Sequence, residues 1–173
     1  MKHFIYLFLL LIPFNHSLSH SHEVCAGYFP PNHLYIPVAR TFSEENQSGL
    51  SEEEFHDAID RVEKVYTPVF TELGKTLKVT REWENGTVNA KAKKNKDSLE
   101  IIMFGGMARH EFASFESFIS VACHEIGHFI GGRPSLNFFN RDMTAEGQSD
   151  YYASSKCMRK LFTHQENLAY IES

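Results

Sequence analysis

The sequence of 173 residues predicts an α+β fold with one long helix, a small antiparallel sheet and two later helices. Apolar residues recur at helical spacing between Ser51 and Gly74. Short strand-like segments separated by turn signals follow, up to Phe104. Helical patterns return at 115–130 and again after Glu146. Because no internal repeat interrupts this order, we expect a single domain.

The long helix has sequence signals at both ends. Ser51 followed by Glu54 is a capping box, in which each residue satisfies a free backbone N–H of the first turn. Gly74 is typical of a helix end, and Pro68 is expected to kink the last turns. The apolar stripe between these ends predicts packing in the core rather than a cofactor site. It consists of Phe55, Ile59, Val62, Tyr66, Val69, Phe70 and Leu73.

Three strand-like segments follow the helix, at 78–83, 88–92 and 99–104. The first two flank Asn85-Gly86, which is the strongest short signal for a β-hairpin. We therefore predict an antiparallel sheet in which these two strands are neighbours.

The charge of the chain does not indicate a nucleic-acid partner. The formal net charge is −5 at pH 7, and the one cationic run of the sequence, Lys91 to Lys96, is short. Such a run between strand-like segments is typical of a solvated turn.

Residues 124–128 read His-Glu-Ile-Gly-His, within the apolar, helix-compatible stretch from Phe115 to Ile130. On a helix, His124 and His128 lie one turn apart on one face, so both imidazoles can bind a single zinc ion. Glu125 lies about 100° round the helix from His124. There its carboxylate can reach a water bound to the metal without binding the metal itself.

A second pair of acidic residues follows at helical spacing. Glu146 and Asp150 are four residues apart and share one helix face. Two His and one carboxylate leave the fourth zinc position open for water, as a catalytic site requires. We therefore predict one zinc ion per chain with Glu146 as third ligand. Asp150 is expected to accept the free N–H of a ligating imidazole, that of His124.

These two motifs resemble those of the gluzincin metallopeptidases, over the part of the chain from Val121 to Phe162. In thermolysin-like enzymes the third Glu is followed by Ser-Asp at this spacing. In HtpX-type peptidases the first motif has the form H-E-x-G-H, and the second is E-x-x-A-D followed by a small residue. The positions that match these patterns in the second motif are Glu146, Ser149, Asp150 and Ala153.

The resemblance implies a zincin-like fold and a zinc peptidase, in particular an endopeptidase acting on a peptide or protein substrate. Glu125 would be the general base. It also implies that an edge strand, here 99–104, lies over the active helix and pairs with the substrate backbone by β-augmentation. Gly105 and Gly106 would then allow that backbone to approach closely. Candidates for stabilising the transition state are His110, Tyr151, Tyr152 and His164.

Two alternatives compete with this interpretation. A metzincin would need a third His at the position of Pro134, and proline cannot bind a metal. The other alternative is a secreted, non-catalytic zinc-binding protein. Glu125 favours the enzyme, because a purely structural site has no use for a base beside its ligands.

The N-terminus predicts export. Residues 1–3 are a short positive start, 4–14 are mostly apolar, and 17–19 offer small residues for signal peptidase. We therefore predict a signal peptide at 1–19 and a metallopeptidase domain at 20–173, located in the periplasm or outside the cell. The apolar stretch is too short to cross a bilayer as a helix, so no stable membrane span is expected after cleavage.

Three cysteines in an exported chain allow at most one internal disulfide. Cys157 lies seven residues past Asp150, about 10 Å further along its helix. If Asp150 meets His124 and the two helices run antiparallel, that distance carries Cys157 too far for a bridge to Cys123. The sequence therefore favours a disulfide between Cys25 and Cys157 and a buried thiol at Cys123.

Overall fold

The structure is a computed structural model that describes residues 27–38, 49–94, 98–138, 141–163 and 166. The predicted signal peptide lies outside the described residues, and so do Cys25 and His164. The described chain combines helices with a small three-stranded sheet, which confirms the predicted α+β class. None of its described helices is both long enough and apolar enough to cross a membrane.

The long helix, α1 (Glu52–Glu72), begins at the predicted capping box. The Ser51 N–H donates to the Glu54 carboxylate at 2.8 Å, and the Glu54 N–H donates to the Ser51 hydroxyl at 3.2 Å. The helix continues past Pro68, and Gly74 follows its end with a φ of +67°. The predicted stripe is confirmed except near its end, where Leu73 is 57% exposed. The buried residues of α1 are Phe55, Ala58, Ile59, Val62, Tyr66 and Phe70.

The three strands are β1 (Thr76–Glu82), β2 (Ala90–Lys94) and β3 (Ser98–Phe104), in the order β1-β3-β2. β3 is parallel to β1 and antiparallel to β2. The predicted all-antiparallel sheet with a hairpin at Asn85-Gly86 is therefore wrong, because β1 and β2 do not pair. The predicted edge position of 99–104 is also wrong, since β3 is the central strand.

Burial explains why β3 takes the centre. Its last four residues, from Ile101 to Phe104, are all buried, whereas β1 and β2 each contain exposed or half-buried positions. A continuous apolar run is typical of a strand covered on both faces. The hairpin signal at Asn85-Gly86 acts only locally, and the gain from burying β3 outweighs it.

Gly105 and Gly106 open a short helix, α2 (Gly105–Ala108), that packs directly on the turn after β1. A Cβ atom on Gly106 would lie 2.0 Å from the carbonyl oxygen of Gly86, and one on Gly105 would lie 1.9 Å from that of Trp83. The close approach that these glycines permit is therefore to the chain's own backbone. Their predicted role beside a substrate is not the one they have in the fold.

The predicted helix that carries His124 and His128 is confirmed as α3, with the bounds Phe115–Ile130. It packs against α1 and against β2 and β3 of the sheet, and the hydrophobic core lies between these elements. A two-stranded hairpin, β4 (Ser135–Phe138) and β5 (Arg141–Thr144), leads to α4 (Glu146–Tyr152). A π-helical turn at Ala153–Cys157 and the short helix α5 (Met158–Leu161) follow.

Cys157 forms a disulfide with Cys123, and their Cα atoms are 5.6 Å apart. The predicted pairing of Cys157 with Cys25 is therefore wrong, and so is the free thiol at Cys123, although both bonded cysteines are fully buried. Asp150 does meet His124, as assumed. Since Cys157 nevertheless reaches the residue next to His124, the segment that follows Asp150 does not take the antiparallel course along α3 that the prediction assumed.

Removing this disulfide should destabilise the protein strongly. The bridge spans a sequence separation of 34 residues, and the loop that it closes contains all of α4. The double substitution of Cys123 and Cys157 by Ala should lower the free energy of unfolding by about 2–5 kcal/mol, measured by urea denaturation. Cys25→Ala is the matched control and should unfold like the wild type. If Cys25→Ala instead lowered the free energy of unfolding by a similar amount, that result would favour a disulfide between Cys25 and Cys157.

Candidate metal site

Helix α3 places His124 and His128 side by side in the interior. Ser114 and Ser117 cap its first turn reciprocally, so the helix begins at a defined residue. The two imidazole rings are 4.7 Å apart between centroids, and the two residues are only 3% and 1% exposed. The helical period therefore presents two buried nitrogen ligands to the same point.

Gly127, between the two His residues, lets α4 pack close to α3. A Cβ atom there would lie 3.0 Å from the Cα atom and the carbonyl oxygen of Ser149. This contact brings the side chain of Glu146, the first residue of α4, close to both imidazoles. Its Oε2 atom lies 3.0 Å from Nε2 of His124 and 3.5 Å from Nε2 of His128.

The other ring nitrogen of each His is held by a hydrogen bond. His124 Nδ1 donates to the Asp150 carboxylate at 2.7 Å. His128 Nδ1 donates to the backbone carbonyl of Thr144 at 2.9 Å. With the proton on Nδ1, each Nε2 lone pair is available to a metal, and the ring orientation is set. The Thr144 carbonyl was missed from the sequence because a backbone acceptor leaves no side-chain signal.

His124, His128 and Glu146 form a group that could hold a metal ion, since their ligand atoms all lie within 4.8 Å of one another. Ligands of a tetrahedral zinc ion, bound at about 2.0–2.2 Å, are separated from one another by about 3.3 Å. The two distances to Glu146, 3.0 and 3.5 Å, lie on either side of that value. The remaining distance, between ring nitrogens of the two His residues, is at most 4.8 Å.

The site is open on the side of α4. The side chains of Glu146 and Asp150 are 54% and 64% exposed, whereas those of the two His residues are almost fully buried. A cation bound here would rest on buried nitrogen ligands and still face solvent.

Glu125 is fully buried next to this group. Within the part of the chain that the structure describes, neither of its carboxylate oxygens has a hydrogen-bond partner. Burial raises the pKa of Glu125 to about 8, against the opposing effect of nearby His124. A buried carboxylate without a partner is costly, and such groups commonly mark a functional site or a place for an ordered water or ion.

Charge and burial act differently on the two imidazoles. Burial lowers the pKa of His128, which keeps this residue neutral and available as a ligand. Burial acts in the same direction on His124, but its hydrogen bonds to Glu146 and Asp150 and the charge of Glu125 outweigh burial and raise the pKa. Without a cation, the surrounding carboxylates thus favour the protonated form of His124.

Stability of the metal-free protein should fall as the pH rises, because of Glu125. Its pKa is about 8 in the folded chain against an ordinary value of 4.5, so between these values only the folded chain holds the proton. The contribution of protonated Glu125 to the stability of the folded chain is complete below a pH of about 4.5 and is lost as the pH rises through about 8. Glu125→Gln mimics the protonated form. Between pH 5.5 and pH 8.5, the melting temperature of the chelator-treated wild type should therefore fall more than that of chelator-treated Glu125→Gln. An equal loss in both would contradict the shifted pKa.

Three of the four predicted transition-state residues lie in the described part of the chain, and they occupy different surroundings. Tyr152 is buried, and its hydroxyl lies 3.2 Å from that of Tyr66 on α1, so it joins α4 to the core. Tyr151 is 58% exposed. His110 lies beside the ring of Phe112, at the rim of a cavity.

Tyr28 is a site residue that the sequence interpretation missed. Its ring packs edge-on against His124, with centroids 5.0 Å apart. The Tyr28 N–H donates to the carbonyl of Ala90 at 3.0 Å, and Gly27 has a φ of +119° at a point where a Cβ atom would lie 2.6 Å from that same oxygen. Burial raises the pKa of Tyr28, and the charges of Asp150 and Glu125 raise it further. No sequence motif marks this residue, because only the pairing with β2 places it at the site.

Comparisons of the chain with models of protein families, with curated proteins and with solved structures gave no match. The fold and the site define an α+β protein with a group of two His and one Glu that could hold a metal ion. The assignment of an activity therefore rests on the geometry of this group and of Glu125.

Proposed function

We propose that the protein is a zinc-dependent peptidase of the gluzincin type, an endopeptidase that hydrolyses peptide bonds. His124, His128 and Glu146 would bind the zinc ion, and Glu125 would be the general base. The observation that carries this proposal is the buried, unpartnered carboxylate of Glu125 beside a three-ligand group with an open side. A base next to an open metal position is the arrangement that water activation requires.

The ligand set favours zinc over harder cations. Calcium and magnesium bind through oxygen ligands, whereas imidazole suits zinc and its transition-metal neighbours. Two His residues and one carboxylate leave one tetrahedral position open, as in catalytic zinc sites. The hydrogen bonds that His124 and His128 make through Nδ1 match the support that ligating imidazoles usually have.

A zinc ion held here would act as a Lewis acid on the scissile carbonyl and would lower the pKa of an attacking water. Glu125 would take the proton of that water and pass it to the leaving amine. Its fully buried position shields the proton from bulk solvent between the two steps. Asp150 and the Thr144 carbonyl would keep the two imidazoles in the orientation that binding requires.

The alternative of a non-catalytic zinc-binding protein is less well supported. A structural zinc site normally closes its fourth position with another Cys or His. Cys123, adjacent to His124, is held in the disulfide and is not free for that role. A purely structural site would also have no use for the buried carboxylate of Glu125.

We further propose that the protein is exported to the periplasm or the extracellular space. The predicted signal peptide at 1–19 motivates this location. The disulfide between Cys123 and Cys157 supports it, because such bonds persist mainly in oxidising compartments. Mass spectrometry of the exported protein should show a new N-terminus near Ser19, and an intact Met1 would contradict the proposal.

The decisive experiment combines metal analysis with a cleavage assay. The purified protein, loaded with zinc and dialysed, should contain one zinc ion per chain and should cleave members of a broad peptide library. A chelator should abolish cleavage, and added zinc should restore it. Protein that contains no zinc after loading would refute the metal site. Protein that binds zinc but cleaves no peptide would favour the non-catalytic alternative.

A further inference from the structure

The ligands of the candidate metal site lie on two separate helices. His124 and His128 belong to α3, whereas Glu146 is the first residue of α4. The hairpin of β4 and β5 separates the two helices in sequence. An ion can contact all three ligands at once only where the two helices are held at a fixed distance, because the ligand positions must match the geometry of the ion closely.

The helix that carries Glu146 extends well beyond the site. α4 ends at Tyr152 and is followed directly by the π-helical turn Ala153–Cys157 and by α5. The backbone stays right-handed helical at both junctions, so residues 146–161 form one run, which we call the second helical run. Cys157 is the last residue of the π-helical turn. Such turns are rare and are frequently found at functional sites.

The second helical run is linked to two consecutive residues of α3. Asp150 and Glu146 contact the ring of His124 at 2.7 and 3.0 Å. Cys157 is bonded to Cys123, the residue before His124. More than half of each carboxylate side chain is exposed to water, whereas the disulfide is covalent and fully buried. Among these three links, the disulfide alone depends neither on solvent screening nor on the charge of His124.

We propose that the disulfide is a positioning element of the metal site, which holds Glu146 at the distance from His124 that metal binding requires. The proposal rests on the zinc site of the proposed function and does not depend on the reaction that the ion supports.

The physical reason is that the bond orders the ligands before the ion arrives. It joins the residue beside one ligand to the helical run that carries another. Without it, the distance between Nε2 of His124 and the carboxylate of Glu146 would vary over a wider range. Each binding event would then have to order the two helices, and the free energy used for ordering is lost from the affinity.

The metal and the disulfide are therefore coupled in both directions. If reduction of the bond weakens zinc binding by some factor, bound zinc must disfavour reduction by the same factor, because both effects belong to one thermodynamic cycle. A disulfide that only adds to the stability of the fold would show neither effect in protein that remains folded.

The first experiment measures the reduction potential of the disulfide in glutathione buffers, with and without zinc. Two glutathione thiols supply the two electrons and two protons that turn the bond into two cysteine thiols, and they leave as glutathione disulfide. The protein carries Cys25→Ala, so that no third thiol exchanges with the pair. Saturating zinc should make the potential more negative by about 20–65 mV, which corresponds to a coupling of about 5–150-fold at about 30 mV per tenfold change. A potential that stays the same or becomes more positive would overturn the proposal.

The zinc dependence of the potential separates positioning from a general effect on folding. If the reduced protein stays folded with a weakened site, the shift levels off once zinc saturates both forms. If reduction instead unfolds the chain, the shift keeps growing with zinc concentration, because zinc then binds only the oxidised form. The first result is expected, and the second would overturn the positioning role.

The second experiment measures the zinc dissociation constant of the double variant Cys123→Ala/Cys157→Ala by chelator competition. This constant should rise by about 5–150-fold, the same factor as the shift in potential. Leu77→Ala is the control for lowered stability. It leaves a cavity in the core beside β1, a strand that pairs with β3 and packs on α1, outside α3 and the second helical run.

The control should bind zinc as tightly as the wild type. A loss of affinity in Leu77→Ala as large as that in the double variant would assign the effect to lowered stability alone and would overturn the proposal. A wild type that holds no zinc after loading would refute the metal site itself. A wild type that holds zinc, with a reduction potential independent of zinc, would refute only the positioning role of the disulfide.

Discussion

Glu125→Gln should lower peptide hydrolysis by about 10²–10⁴-fold, the usual effect of losing a general base. The amide keeps the size of the carboxylate but cannot take up the proton. Since Glu125 has no hydrogen-bond partner among the described residues, no hydrogen bond between them is lost. Zinc content and the melting temperature of the zinc-loaded protein should therefore stay close to those of the wild type. The measurement is kcat/KM on a peptide that the wild type cleaves, with metal analysis of the same sample.

Glu116→Gln is the matched control for this substitution. Glu116 lies in the first turn of the same helix and is exposed, so its change should leave kcat/KM unaltered. Full activity of Glu125→Gln would exclude Glu125 as the base and with it the proposed mechanism. Loss of activity together with loss of zinc would instead assign Glu125 to metal binding.

His128→Ala should abolish tight zinc binding. His128 is 1% exposed, and its Nε2 atom faces Glu146 while Nδ1 is held by Thr144. Only two ligands would remain, so the loss of affinity should exceed the roughly 10–100-fold that follows loss of an outer hydrogen bond to a ligand. Competition with a metal chelator measures this affinity directly. His56→Ala, a change on the partly exposed side of α1, is the control and should bind zinc like the wild type.

Asp150→Asn should lower metal affinity or activity by about 10–100-fold, because it weakens a hydrogen bond to a metal ligand and leaves all three ligands in place. Asp150 accepts a hydrogen bond from Nδ1 of His124 and does not belong to the three-ligand group. The expected order of zinc affinity is wild type, then Asp150→Asn, then His128→Ala. If His128→Ala binds zinc as tightly as the wild type, His128 is not a ligand and the site has been placed wrongly.

The sequence by itself determined the features that depend on local periodicity. The bounds of α3 and the common face of His124 and His128 follow from the helical repeat, which needs no information from the rest of the chain. The capping box at Ser51 is equally local, since its two hydrogen bonds join residues three apart. The spacing of Glu146 and Asp150 placed both on one side of a helix, where the structure has them.

The tertiary structure alone decided which distant segments meet. The strand order puts β3 in the centre because burying its apolar run outweighs the local hairpin signal at Asn85-Gly86. Cys157 pairs with Cys123 because of the way in which α3 packs against the segment after α4, and such packing depends on side chains from both partners. Tyr28 reaches His124 only because its segment bonds to β2. Each of these contacts joins residues far apart in the chain, so its free energy depends on packing that no local pattern encodes.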